Sequence, residues 1–183
     1  MEALVRLLDL EPLELNIYRG ENRDVGTGRV FGGQVLAQAL VAARRTVEED
    51  RPAHSIHGYF ILAGKLDRPI VYFVDRLRDG GSFSTRRVTA IQEGKAIFNL
   101  SASFHPRQEG LEHCVEAPDA PPPESLEREL DRIRAEAHRI PPALRNVLTQ
   151  ERPIDFRTVD PPDLVDPTPS PPRRMTWFRV LEE

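Results

Sequence analysis

Gly32-Gly33-Gln34-Val35-Leu36-Ala37-Gln38-Ala39-Leu40-Val41-Ala42-Ala43 opens on two glycines and then carries no charged residue. Leu36, Leu40, Ala43 and Val47 recur at helical spacing, with Val35, Ala39 and Ala42 adding small side chains beside them. The spacing predicts a helix whose apolar arc is too wide for a protein surface, thin enough to be enclosed on several sides. Charge returns only at Arg44, Arg45, Glu48, Glu49 and Asp50, so the last turn is expected to emerge into solvent.

The strands that would enclose this helix follow it. Ala96, Phe98, Leu100, Ala102 and Phe104 alternate with Ile97, Asn99, Ser101, Ser103 and His105, the period of a strand with one apolar face. Glu93-Gly94 separates it from Phe83 to Gln92 as a two-residue hairpin would, and Asp79-Gly80-Gly81 separates that strand from Ile70 to Arg78. Ile56, Phe60 and Leu62 mark a fourth strand from His54 to Ala63. Upstream, Leu4, Leu7, Leu8 and Leu10 predict a short lead-in helix that Pro12 ends or follows, and Leu15 to Tyr18 a first strand. The order is therefore one central helix and then a meander of antiparallel strands, an α+β arrangement.

Beyond Pro106 the composition changes, and 13 of the 17 prolines lie between Pro118 and Pro172, so residues 111–173 read as a connector after a first domain at 1–110. Within it, Leu126, Leu130, Ile133, Ala137 and Ile140 predict one amphipathic helix, with Glu124 and Glu127 near its start and Arg139 near its end, stopped by Pro141-Pro142. Ile154 to Val159 reads as a strand. Arg174 to Leu181 reads as another, and residues 174–183 are taken as the start of a further, truncated unit.

A net charge of -4, with both signs interspersed, argues against nucleic acid as a partner. The single cysteine, Cys114, allows no internal disulfide and fits a reducing compartment. Residues 1–9 lack a basic start and long apolar core, and no run approaches the roughly 18 apolar residues of a membrane span. The expected location is cytoplasmic, away from membranes.

Several motifs invite chemistry. Gly26-Thr27-Gly28 with Gly32 is a loose glycine-rich loop, but a dinucleotide site needs a βαβ unit and antiparallel strands follow instead. Gly32-Gly33 at a helix start leaves backbone N–H groups free to stabilise a developing oxyanion, or simply lets helix and sheet pack closely. His54 and His57, three apart in a strand, point to opposite faces and cannot chelate one metal together. Arg86-Arg87 places one guanidinium on each face, one able to meet a phosphate and the other solvated, with a surface role for both the plainer reading. No serine occupies a G-x-S-x-G elbow, and Cys114 has nothing near it in sequence to lower its pKa. No cofactor is called for.

Taken together, Val30-Phe31-Gly32-Gly33-Gln34-Val35, His54-Ser55-Ile56-His57-Gly58-Tyr59-Phe60, Leu77-Arg78-Asp79-Gly80-Gly81-Ser82-Phe83-Ser84-Thr85-Arg86-Arg87-Val88, Ala90 to Phe98, and Ala102-Ser103-Phe104 resemble the N-terminal half of the acyl-CoA thioesterase II family. The resemblance runs through most of the chain. It implies a hotdog fold, an antiparallel sheet wrapped around a long helix, and hydrolysis of fatty acyl-CoA to free acid and coenzyme A. It also implies two hotdog units per protein, with a catalytic Asp, Thr and Gln in the second, so no catalytic residue is assigned here. Gly32, Gly33, Gln34 and His57 are the expected substrate-binding residues, with His57 the titratable one. The sheet edge is expected to be covered by a second hotdog unit or a second copy of the chain. The alternative is a non-catalytic module that binds acyl-CoA or only supports the sheet. A hotdog dehydratase is a weaker reading, because Gly33 to Ala43 contains neither Asp nor His.

Overall fold

The uncharged stretch is helix α2, Gly32–Arg44, and it lies over the middle strands of a six-stranded sheet. The computed structural model describes residues 2–181. The strands are β1 (Glu11–Glu14), β2 (Ile17–Gly20), β3 (Ala53–Phe60), β4 (Ile70–Asp79), β5 (Ser84–Gln92) and β6 (Lys95–Phe104), preceded by helix α1 (Glu2–Leu8). They pair antiparallel throughout in the order β1-β2-β4-β5-β6-β3. With mixed helix and antiparallel sheet, and the helix laid along one face, this is the α+β hotdog arrangement that the resemblance implied.

The buried row of α2 is rotated from the expected stripe. Val35, Gln38, Ala39, Ala42 and Ala43 are buried, whereas Leu36, Leu40 and Val47 are only partly so, flanking the core. The reason is distance: small side chains face the sheet because the helix sits close to it, and the leucines need the space at its sides. Beneath them lie Tyr72, Val74, Val88, Ala90, Phe98, Leu100, Ala102 and Phe104, the alternate residues of β4, β5 and β6.

The hairpin at Glu93-Gly94 forms with both residues at positive φ, 49° and 73°, as a two-residue turn between twisted strands requires. The expected first strand, Leu15 to Tyr18, is instead a turn and a second strand. Asn16 turns the chain at φ 62°, accepting a hydrogen bond from Arg76 Nε at 2.8 Å. The strand expected to reach Ala63 stops at Phe60, because Ile61 and Leu62 both donate to the one carbonyl of Ile97 and the ladder cannot continue. All of β3 is exposed, including Ile56 and Phe60 on the helix side, since it is an edge strand that α2, lying over the middle strands, barely reaches.

Arg86 overturns the surface reading. It is 1% exposed, and all five of its N–H donors are used. Nε donates to Thr46 Oγ1 (2.7 Å), Nη1 to the carbonyls of Arg78 and Thr85 (2.9 and 3.0 Å), and Nη2 to Thr46 O and Asp79 Oδ1 (2.8 and 2.6 Å). It ties β5 to the turn that ends α2, and no donor remains for a phosphate. The Arg86 hydrogen bond holds the Asp79 carboxyl below the usual carboxylate range. Arg87 does lie on the exposed face, paired with Asp75 at 2.7 Å.

The described chain forms two compact units, Leu4–Leu111 and a second that holds residues 112–181. In the latter, the helix expected from Leu126 to Ile140 is shorter, α3 (Glu129–Ala135), preceded by a short turn of 3-10 helix (Pro123–Ser125) and followed by a second helix, α4 (Pro142–Leu148). Leu126 is extended, and its carbonyl accepts from Arg157 at 3.0 Å, which stops a helix from running through it. Pro141-Pro142 starts α4 rather than stopping the preceding helix, which has already ended at Ala135, since proline suits a first helical turn. Strands β7 (Ile154–Thr158) and β8 (Thr176–Val180) pair antiparallel. Buried Asp155 organises this unit. Burial pushes its carboxyl up, but hydrogen bonds from Arg157 and Arg128 outweigh that and hold it below the usual range.

Candidate functional site

The first turn of α2 opens on a cleft of about 370 Å³ lined by Val30, Gly32, Val35, Phe60, Ile97 and Phe98, together with Ile61 to Gly64. Every lining side chain is apolar or absent, so the cleft suits a hydrocarbon chain and holds no acid, base or nucleophile of its own. Phe31 occupies the N-cap position, and no side chain caps the helix. Gln34 and Val35 donate to Phe31 O at 3.0 and 3.3 Å, and the amides of Gly32 and Gly33 precede that bonding pattern. An uncapped helix start beside an apolar cleft offers a positive end to a polar group carried on an apolar tail.

The expected binding residues do not all come together. Gly32 lines the cleft with the Phe60 ring close against it: a Cβ there would meet Phe60 Cε1 at 3.0 Å, so a side chain fits only if the ring shifts. Gly33 follows, covered by the ring of Phe31. Gln34 is buried and turned toward the preceding segment, its Nε2 donating to Glu21 O (3.0 Å) and Asn22 Oδ1 (3.2 Å) while its Oε1 accepts from Arg23 N (3.2 Å). His57 lies elsewhere. Its register partner is Ser101, whose neighbours Leu100 and Ala102 face the helix, so His57 is on the outer face of the sheet, with Tyr59 4.7 Å away ring to ring.

The two strand histidines share no site, though parity is not what separates them. A bulge between Ala53 and Ser55 lets His54 reach Ser103 Oγ (2.9 Å), a residue of the same outer row as Ser101. His54 then lies with Phe83 and His105, not with His57. Among the described residues no three metal-ligating side chains gather. The glycines of the Gly26–Gly28 loop follow an antiparallel strand, so no βαβ unit exists there. No helix among the described residues is long and apolar enough to cross a membrane.

Sequence reasoning missed a set of buried amides. Gln38, fully buried, donates to Leu7 O and Glu21 O at 2.7 and 3.0 Å and accepts from Tyr72 Oη at 2.7 Å. Burial pushes the Tyr72 phenol up, so it stays a neutral donor. Gln92, at the end of β5, caps the carbonyls of Lys65 and Arg68. The signal was present: a glutamine in the middle of an apolar helix is costly unless its amide is satisfied.

Residues 21–105 match the profile of the acyl-CoA thioesterase N-terminal domain. The chain is 42% identical over 182 residues to mouse (Mus musculus) acyl-coenzyme A thioesterase 8, covering 95% of this chain and 57% of that protein. It is 39% identical over 183 residues to acyl-CoA thioesterase 2 of Haemophilus influenzae, covering 100% and 64%. Among solved structures, acyl-CoA thioesterase II TesB2 from Mycobacterium marinum superposes with a TM-score of 0.71 at 39% identity, covering 97% of this chain and 60% of that one. The chain thus spans less than two thirds of the length of these relatives.

Proposed function

Because the chain belongs to the acyl-CoA thioesterase family, we propose that it supplies the N-terminal hotdog half of an enzyme that hydrolyses fatty acyl-CoA to a free fatty acid and coenzyme A. The observation that carries this is the uncapped start of α2 at an apolar cleft. The acyl chain enters the cleft, and the thioester carbonyl lies at the Gly32 and Gly33 amides. Water adds to that carbonyl, the oxygen takes negative charge, and the C–S bond then breaks to release the coenzyme A thiol. A backbone donor that meets the oxyanion is worth on the order of 3 kcal/mol in such a step. The groups that activate water belong, by the family resemblance, to a second hotdog unit. His57, on the outer face, is assigned no contact with the thioester in this reading.

The exposed edge of β3, with Ile56, Tyr59 and Phe60 beside unpaired backbone groups, supports association with a second hotdog unit or another copy of the chain. One exposed cysteine and no disulfide support a reducing, cytoplasmic setting. A second reading, binding of acyl-CoA without turnover, is favoured for the chain alone by the lack of any titratable side chain lining the cleft. Hydrolysis assays of this chain and of a version extended to the length of its relatives, across short, medium and long acyl-CoA, test both. Turnover by the extended protein is expected; none at any chain length overturns the hydrolase reading.

A further inference from the structure

The two segments that wall the cleft meet where Val30 packs on Gly64, and further along they are joined by side-chain amides. Asn22 Nδ2 donates to Lys65 O at 3.1 Å and to Arg68 O, and its Oδ1 accepts from Gln34 on α2. Gln92 approaches the same two carbonyls from β5, with Nε2 at 2.9 and 2.7 Å, while its Oε1 accepts from Lys65 N at 2.8 Å. Each carbonyl thus accepts from two amides at once. Immediately before Lys65 lie Ile61 to Gly64, one wall of the cleft; the segment that begins at Asn22 ends at Val30, the other wall, whose N–H donates to Gly64 O at 3.1 Å.

We propose that Asn22 is a positioning residue that sets the width of the cleft mouth, and with it the acyl chain length admitted, by cross-linking the 21–31 and 61–69 segments. The substrate class rests on the thioesterase reading. The two amides differ in burial. Gln92 is buried and keeps the 61–69 segment attached to the sheet; Asn22 is partly exposed, so water competes for its carbonyl bonds and they are the easier pair to break. Opening therefore begins at Asn22 and pivots on Gln92. Gln34 holds the Asn22 end of the 21–31 segment to the helix, through Glu21 O, Asn22 Oδ1 and Arg23 N, and the bond from Val30 N to Gly64 O ties its other end to the 61–69 segment.

The test uses Asn22→Asp, which keeps size but loses both donors, and Asn22→Ser, which keeps one donor and guards against a folding defect, with Asn99→Ala on the outer face as control. Hydrogen exchange of the amides of residues 61–65 and calorimetric binding of two non-hydrolysable thioethers, S-octyl- and S-hexadecyl-coenzyme A, are the readouts. For Asn22→Asp we expect roughly tenfold faster exchange with little change in Tm, and a ratio of the two dissociation constants moved at least threefold toward one. A ratio that stays at the wild-type value, or unchanged exchange, overturns the role of Asn22. Binding of neither thioether by the unaltered chain instead sinks the thioesterase reading and the chain-length part of this inference together.

Discussion

The ring of Phe60 stands directly over Gly32, so that a Cβ on residue 32 would lie 3.0 Å from Cε1 and 3.1 Å from Cζ. This contact brings the end of an edge strand to the start of the central helix and closes one side of the cleft. It explains why a helix begins on residues of low helix propensity. The glycine trades local helix stability for a place where ring and backbone meet.

Gly32→Ala separates these two demands. Alanine favours the helix by up to ~1 kcal/mol, and Phe60, 61% exposed, has room to shift by the few tenths of an ångström required. Calorimetric Tm is expected to change little, while binding of a medium-chain acyl-CoA thioether falls about tenfold, equivalent to ~1.4 kcal/mol, as the methyl enters the cleft. Unchanged binding would place the acyl group elsewhere.

Arg86→Leu removes the donors to the Thr46 carbonyl and hydroxyl oxygens, leaving the hydroxyl only its own bond to Ala43 O. A loss of about 2–4 kcal/mol in urea unfolding is expected, without gain from the added apolar surface. Arg86→Lys recovers only part of it, because one ammonium cannot replace a fork of five donors.

Asp79 gives this link a pH dependence. Its folded-state pKa is lowered, chiefly by the Arg86 hydrogen bond, so the folded state binds fewer protons than the unfolded state in the acid range. The contribution is present above the ordinary carboxylate pKa and is lost as pH falls through the lowered one. The carboxylate is half exposed, so the effect is small. Comparing unfolding of wild type and Asp79→Asn from pH 7 down to pH 2, the stability difference is expected to shrink to nothing at the acid end; a difference that grows on acidification contradicts it.

Tyr72→Phe removes the donor that satisfies Gln38 Oε1 in a fully buried site. A cost of about 1–2 kcal/mol is expected. In a double-mutant cycle with Gln38→Leu, the two losses should fail to add, since either change abolishes the same bond.

Ile56→Lys places a charge on the exposed helix-side face of β3. Light scattering at micromolar concentration is expected to show less association than wild type, because an edge lysine resists pairing with another strand. Equal association would move the contact away from this edge.

Periodicity carried much of the fold. The alternation from Ala96 to His105 and the Glu93-Gly94 pair belong to contacts between residues near in sequence, so they are legible without tertiary knowledge, as is the span of the uncharged helix. What it could not supply was which face of that helix meets the sheet: Leu36 and Leu40 look like the core, but Ala39 and Ala42 occupy it because close approach excludes larger side chains. The apolar residues of β3 likewise promised burial, and only strand order showed them at an edge. Arg86 and Gln38 look out of place in a core until their partners, 40 and 34 residues away, are brought to them. Local spacing in the sequence by itself determined helix α2, the strands β4 to β6 and their order; the tertiary structure decided which polar groups are satisfied and where the cleft opens, because hydrogen-bond partners and cavity walls come from segments that only folding places side by side.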